Sequence, residues 1–226
     1  MGVFGGIFAD QILWPYLIER PLFYQYRLQQ QPIILVERNE TIIQENVALQ
    51  NAIEKVEKVI MGISTKTKTG ETIEGSGLIL TSDGLAITFA DLIPKNATTS
   101  LFIEGNSVSS FQILKRDTKE NLTLIKIEGK NFPTCGFADL EKIKLGERVF
   151  LVGTIFKEVE PNKIVNEGII TAFDETSVQT NIFEEDILAG SSLFDIEGNV
   201  VGLNMIDKEG KVVTIPISKI KSFAGL

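Results

Sequence analysis

From Ile60 onward, apolar residues fall in short β-branched and aromatic runs, broken by turn residues at intervals typical of sandwiches and barrels. The runs VIMGIST, GLILT, LAITF, TSLFIE, SFQILKR, LTLIKIE, RVFLVGT, GIITAF, SVQTN, SLFDI, VVGLNMI and VVTIPI predict strands, so the expected class is all-β. Between them stand Asp83-Gly84, Glu104-Gly105-Asn106, Glu197-Gly198-Asn199 and Glu209-Gly210-Lys211. These residues tolerate positive φ and predict antiparallel hairpins. No strand-helix-strand period recurs and no repeat of fixed length is visible, which disfavours a doubly wound sheet.

The flanks carry a different period. Thr41 and Gln44 form a capping box before Leu49, Ala52, Ile53, Val56 and Ile60, which recur at helical spacing and predict an amphipathic helix over about 42–59. Ile217, Ile220 and Phe223 predict a short terminal helix, with no further module after it. Residues 1–9 are apolar or glycine and are too short to cross a bilayer alone, and no basic residue precedes Arg20 as a signal peptide requires. Trp14, Tyr16, Tyr24 and Tyr26 gather just behind this run, as aromatics do at membrane interfaces. Residues 1–26 are therefore expected to attach the chain to a membrane or, alternatively, to pack on the folded domain or a neighbouring subunit. Pro21 and Pro32 make residues 20–40 an extended linker.

Composition narrows the chemistry. The 226 residues are 43% apolar and 23% charged, an ordinary globular balance. The net charge of −8 repels a phosphate backbone, so nucleic acid is not an expected partner. Cys135 is the only cysteine, which excludes an intrachain disulfide and any cysteine-based zinc site; with no histidine to pair with, it is expected to be an inert thiol. The absence of histidine also excludes every triad or metal site that needs an imidazole.

Three stretches resemble the trypsin-like domain of the HtrA, or DegP-type, serine protease family. GSGLILTSDGLAITFADLI at 75–93 is similar to the family's GSG-apolar-SDG-apolar-TN-x-HV pattern. NLTLIKIEG at 121–129 resembles its DLAVLKI strand, and VQTNIFEEDILAGSSLFDIEGNVVGLN at 178–204 resembles the stretch ending GNSGGPL-x-x-x-G-x-V-x-G-I-N. KIKLGERVFLVGT at 142–154 and VVTIPISKI at 212–220 agree in the right order. The resemblance covers about residues 45–226 and implies two packed six-stranded antiparallel β-barrels with a site between them. The expected organisation is an anchor and linker over 1–40 and one protease-fold domain over 41–226, with no PDZ domain.

Carried over residue by residue, the resemblance places the general-base histidine on Asp91, the orienting aspartate on Asn121 and the nucleophilic serine on Ala189. A methyl group offers no nucleophile, so acyl-enzyme formation at Ala189 is excluded. The oxyanion turn, glycine-rich in the family, is here Ile187-Leu188-Ala189-Gly190. Ser191 and Ser192 are rescue candidates for a relocated nucleophile; the alternative is that their hydroxyls cap backbone groups before strand SLFDI.

Asp117-Thr118-Lys119 and Ser82-Asp83-Gly84 fit the Asp-Thr/Ser-Gly turn of aspartic proteases poorly. Glu184, Glu185 and Asp186 admit a hard cation such as calcium, but read more simply as a solvated loop. The expectation is a catalytically inactive homologue, without cofactor or metal, that binds an extended peptide or protein at the cell envelope. Trimeric self-association is implied by the resemblance. An active peptidase using Ser191 or Ser192, a purely structural subunit, and a soluble cytoplasmic location are the alternatives.

Overall fold

Where apolar side chains alternate with polar ones, one face of a strand can be buried and its neighbours can pair on both sides. The computed structural model describes residues 45–157 and 160–226, all within the unit Ile43–Leu226. The expectations for residues 1–40 and the Thr41/Gln44 capping box lie outside the described residues.

The first half forms β1 (Ile60–Lys66), β2 (Thr72–Ile79), β3 (Leu85–Phe89), β4 (Thr98–Ile103), β5 (Asn106–Ser107), β6 (Phe111–Asp117) and β7 (Leu122–Ile127). They make one antiparallel sheet in the order β5-β4-β1-β2-β3-β7-β6. The second half forms β8 (Gly136–Phe137), β9 (Arg148–Lys157), β10 (Glu160–Phe173), β11 (Val178–Phe183), β12 (Ser192–Asp195), β13 (Asn199–Ile206) and β14 (Lys211–Pro216). Its order is β12-β9-β10-β11-β14-β13-β8, and β12 also pairs with β13, which closes six strands into a ring. Each sheet is thus the expected set of six plus one two-residue strand, β5 or β8. The architecture is the trypsin-like pair of β-barrels.

Two expected turns show why their residues are needed. Ile103 pairs with Asn106, and Glu104 and Gly105 between them have φ of 47° and 79°, the two-residue turn that matches strand twist. Gly198 (φ 78°) and Gly210 (φ 82°) close the β12–β13 and β13–β14 turns through N–H bonds to Asp195 and Asp207.

β9 shows how alternation builds the interior. Phe150 and Val152 enter the core that runs from the first sheet, while Val149 and Leu151 enter the second ring's own core with Val178, Leu193 and Val212. Phe150 stacks on Phe194 at 5.6 Å between ring centroids. Burying each such ring contributes on the order of 2–3 kcal/mol. Helix α1 (Glu45–Val56) continues as a 3-10 turn over Glu57–Val59 and buries Ala52, Val56 and Val59 against the first core. Helix α2 (Ile217–Ala224) buries Ile217 and Ile220 and ends at Gly225, in the left-handed conformation. Among the described residues, no helix is long and apolar enough to cross a membrane.

Candidate functional site

The strand ends of the first sheet bring two of the sequence-derived positions together. Phe89 pairs with Leu122, so the residues just beyond β3 meet the residue just before β7. The Asp91 N–H donates to Asn121 Oδ1 at 3.1 Å, and the Asn121 side-chain amide donates back to Asp91 Oδ2 at 2.9 Å. A third bond runs from the Ala90 N–H to the Asn121 carbonyl at 3.0 Å. Asn121 holds φ at 54°, a conformation asparagine tolerates better than most residues. Behind this loop, the Thr65 hydroxyl donates to the Leu92 carbonyl at 2.7 Å and the Arg116 guanidinium donates to the Ala90 and Ile93 carbonyls. Asp91 is thereby fixed at the surface by a neutral amide.

Ala189 arrives from the second half. It follows a 3-10 turn over Asp186–Leu188, and it lines one cleft of about 670 Å³ together with Asp91, Leu92, Ile187 and Ile206. The Ala189 carbonyl accepts the Ser76 N–H at 3.0 Å. Ser76, fully buried, bonds to both sheets: its hydroxyl accepts the Thr154 N–H of β9 at 2.8 Å, and its carbonyl accepts the Thr88 hydroxyl at 2.7 Å. Gly190 must be glycine here. Its φ is 79°, and a Cβ would stand 2.1 Å from the Ser76 carbonyl oxygen.

In trypsin-like enzymes the nucleophile's own N–H is an oxyanion donor. Here the Ala189 N–H donates to the Asp186 carbonyl at 2.9 Å, and the Leu188 N–H to Glu185 at 2.9 Å. The bulky Ile187-Leu188 pair in place of glycine was the signal for an altered turn; the backbone bond itself has no sequence signature.

The rescue candidates lie elsewhere. Ser191 and Ser192 are fully buried. The Ser191 hydroxyl accepts the Asn204 side-chain amide at 3.0 Å, and Asn204 in turn accepts the Thr214 hydroxyl at 2.6 Å. The Ser192 hydroxyl, on a strand flanked by Val152 and Leu203, has no hydrogen-bond partner among the described residues. Neither hydroxyl caps backbone as the sequence suggested, because the strand they open is interior and closes the ring.

Burial pushes the Cys135 thiol up to about 11, which suits an inert thiol. Glu184 accepts the Asn166 amide at 2.7 Å, and among the described residues no group of three acidic or thiol side chains is placed to hold a metal ion.

Two β-barrels with this cleft between them define a trypsin-like serine protease architecture. Residues 75–203 match the trypsin-like peptidase domain family, more than half of the chain, and the protein belongs to that family. Its type is HtrA-like. A probable periplasmic serine endoprotease DegP-like of Pseudomonas putida is 30% identical over 138 residues, 58% of this chain and 28% of that protein. The corresponding protein of Halomonas elongata is 27% identical over 138 residues, with the same coverage of 58% and 28%. The putative serine protease HhoB of Synechocystis sp. is 24% identical over 165 residues, 66% of this chain and 39% of that protein. The matches thus span about a third of the relatives' length.

Proposed function

We propose that this chain is a catalytically silent HtrA-type domain that holds an extended peptide in the cleft between its barrels. The observation that carries the reading is the composition of one assembled site. Asp91 and Asn121 are bonded to each other, Asp91 and Ala189 line the same cleft, and the three positions carry neither imidazole nor hydroxyl. The Ala189 N–H is already engaged, so a developing oxyanion meets one donor fewer. What survives is a groove whose recognition of peptide by strand pairing and side-chain pockets does not depend on a nucleophile. The DegP-like relatives are described as periplasmic, which supports an extracytoplasmic location. The apolar and aromatic residues 1–26 supply membrane attachment in this reading, and self-association belongs to the same proposal.

Turnover of unfolded casein and labelling by a fluorophosphonate probe test the silence. Purified protein is expected to give neither. Turnover or labelling that disappears in Ser191→Ala or Ser192→Ala, with the fold intact by circular dichroism, would establish a relocated nucleophile instead.

A further inference from the structure

The cleft has an apolar floor, an acidic rim and an open strand edge. Leu92, Ile187 and Ile206 supply the floor, while Glu71, Glu74, Asp91 and Asp186 bring carboxylates from three separate elements. Among the described residues, none of the four pairs with a lysine or arginine. Asp91 has only the neutral Asn121 amide, and partial burial holds the Glu74 carboxyl above the usual glutamate range. The rim is therefore a concentration of carboxylates with no ion-paired lysine or arginine among the described residues.

The strand edge comes from β2. Ser76 turns its N–H to Ala189 and its C=O to the Thr88 hydroxyl, away from β1. Backbone groups alternate along a strand, so Glu74 and Thr72 present their N–H and C=O on that same side. β3 pairs with β2 only at Leu78 and Ile79. Over Thr72–Gly75 the outer edge of β2 is thus unpaired among the described residues, and Thr72, Ile73 and Glu74 line the cleft.

We infer that the cleft selects an extended segment carrying lysine or arginine, laid along the free edge of β2. Lysine and arginine complement this surface twice: their alkyl stems cover the apolar floor, and their charged heads reach the rim. Main-chain bonds to Thr72 and Glu74 supply sequence-independent affinity, as in other strand additions. The charge contacts supply the preference. The inference rests on the reading of the cleft as a peptide site.

The test is fluorescence anisotropy with three labelled nine-residue peptides that alternate valine with lysine, glutamine or glutamate. Two or three exposed charge pairs give the lysine peptide an advantage of about tenfold over the glutamine peptide at low salt. This advantage is expected to fall severalfold in the Glu74→Gln/Asp186→Asn variant, which removes two of the four rim carboxylates, and to shrink at 0.5 M salt, where the Debye length is only a few ångströms. Glu141→Gln/Glu175→Gln, on a different groove, is the control for unspecific attraction to an acidic protein. Equal binding of the three peptides, or equal loss in both variants, overturns the charge preference and leaves the peptide cleft standing. No binding by any peptide overturns both.

Discussion

Ser76 offers the sharpest test of how the barrels are joined. Replacing it by alanine keeps the backbone and deletes one oxygen, the acceptor of the Thr154 N–H. Thr154 is 1% exposed, so that N–H loses its partner with no solvent to replace it. The vacated space is smaller than the ~10–15 Å³ of probe volume that a water requires. An orphaned buried donor costs about 1–3 kcal/mol, which puts the expected loss near 2 kcal/mol. For a domain of this size, that lowers Tm by roughly 4–8 °C. Urea titration followed by circular dichroism should show a lower midpoint with an unchanged slope. Ser192→Ala is the matched comparison, since it deletes a hydroxyl that is equally buried but bonds nothing among the described residues. It should leave stability unchanged or raise it by up to about 1 kcal/mol. Equal losses in the two variants, or a Ser76→Ala effect within the ~0.5 kcal/mol typical of inert surface changes, would refute the reasoning.

Installing a triad as Asp91→His, Asn121→Asp and Ala189→Ser should give casein turnover about 10²–10³ below that of a trypsin-like protease with both donors free, because the N–H of position 189 is still held by Asp186. Turnover at the full rate of such a protease would show the donor to be free. Lys163 keeps much of its surface in solvent, but its ammonium donates to the Ile60 carbonyl and to Thr154, and burial holds it down to about 8. An unfolded lysine titrates near ~10.4, so between these values the unfolded chain carries the extra proton and this residue's contribution to stability rises with pH. Denaturation midpoints of wild type and Lys163→Met from pH 7 to pH 10 should diverge accordingly, with the wild type gaining; parallel curves would remove the basis for a depressed lysine.

The sequence made the hairpins legible because their turns state their own conformation: Glu104-Gly105, Gly198 and Gly210 all adopt the positive φ their chemistry allows. It concealed the first half of β10. Residues 160–167 are mostly polar and exposed, and what makes them a strand is pairing with β9, from Glu160 opposite Lys157 to Glu167 opposite Phe150. β2 likewise starts at Thr72, five residues before the apolar run that announced it, because its early residues are held by β1. At the site, ungapped motifs named Asp91, Asn121 and Ala189 as candidates, and the structure lines one cleft with Asp91 and Ala189; the reciprocal bonds between Asp91 and Asn121 depend on strand ends set by long-range pairing. The burial of Ser191 and Ser192 was hidden for a related reason. Two hydroxyls before an apolar run read as a surface turn, yet Ser192–Asp195 sits between β9 and β13 with both edges paired.

The latch at Ser76 links the groove to the seam mechanically. Its amide grips the segment that lines the groove, and its hydroxyl grips a strand of the second barrel, so this residue couples a tug on one to the other. An occupant that drags the Ala189 segment outward would slacken the seam, and one that presses it inward would tighten it. Hydrogen exchange at the Thr154 amide thus becomes a gauge of how the groove is being held.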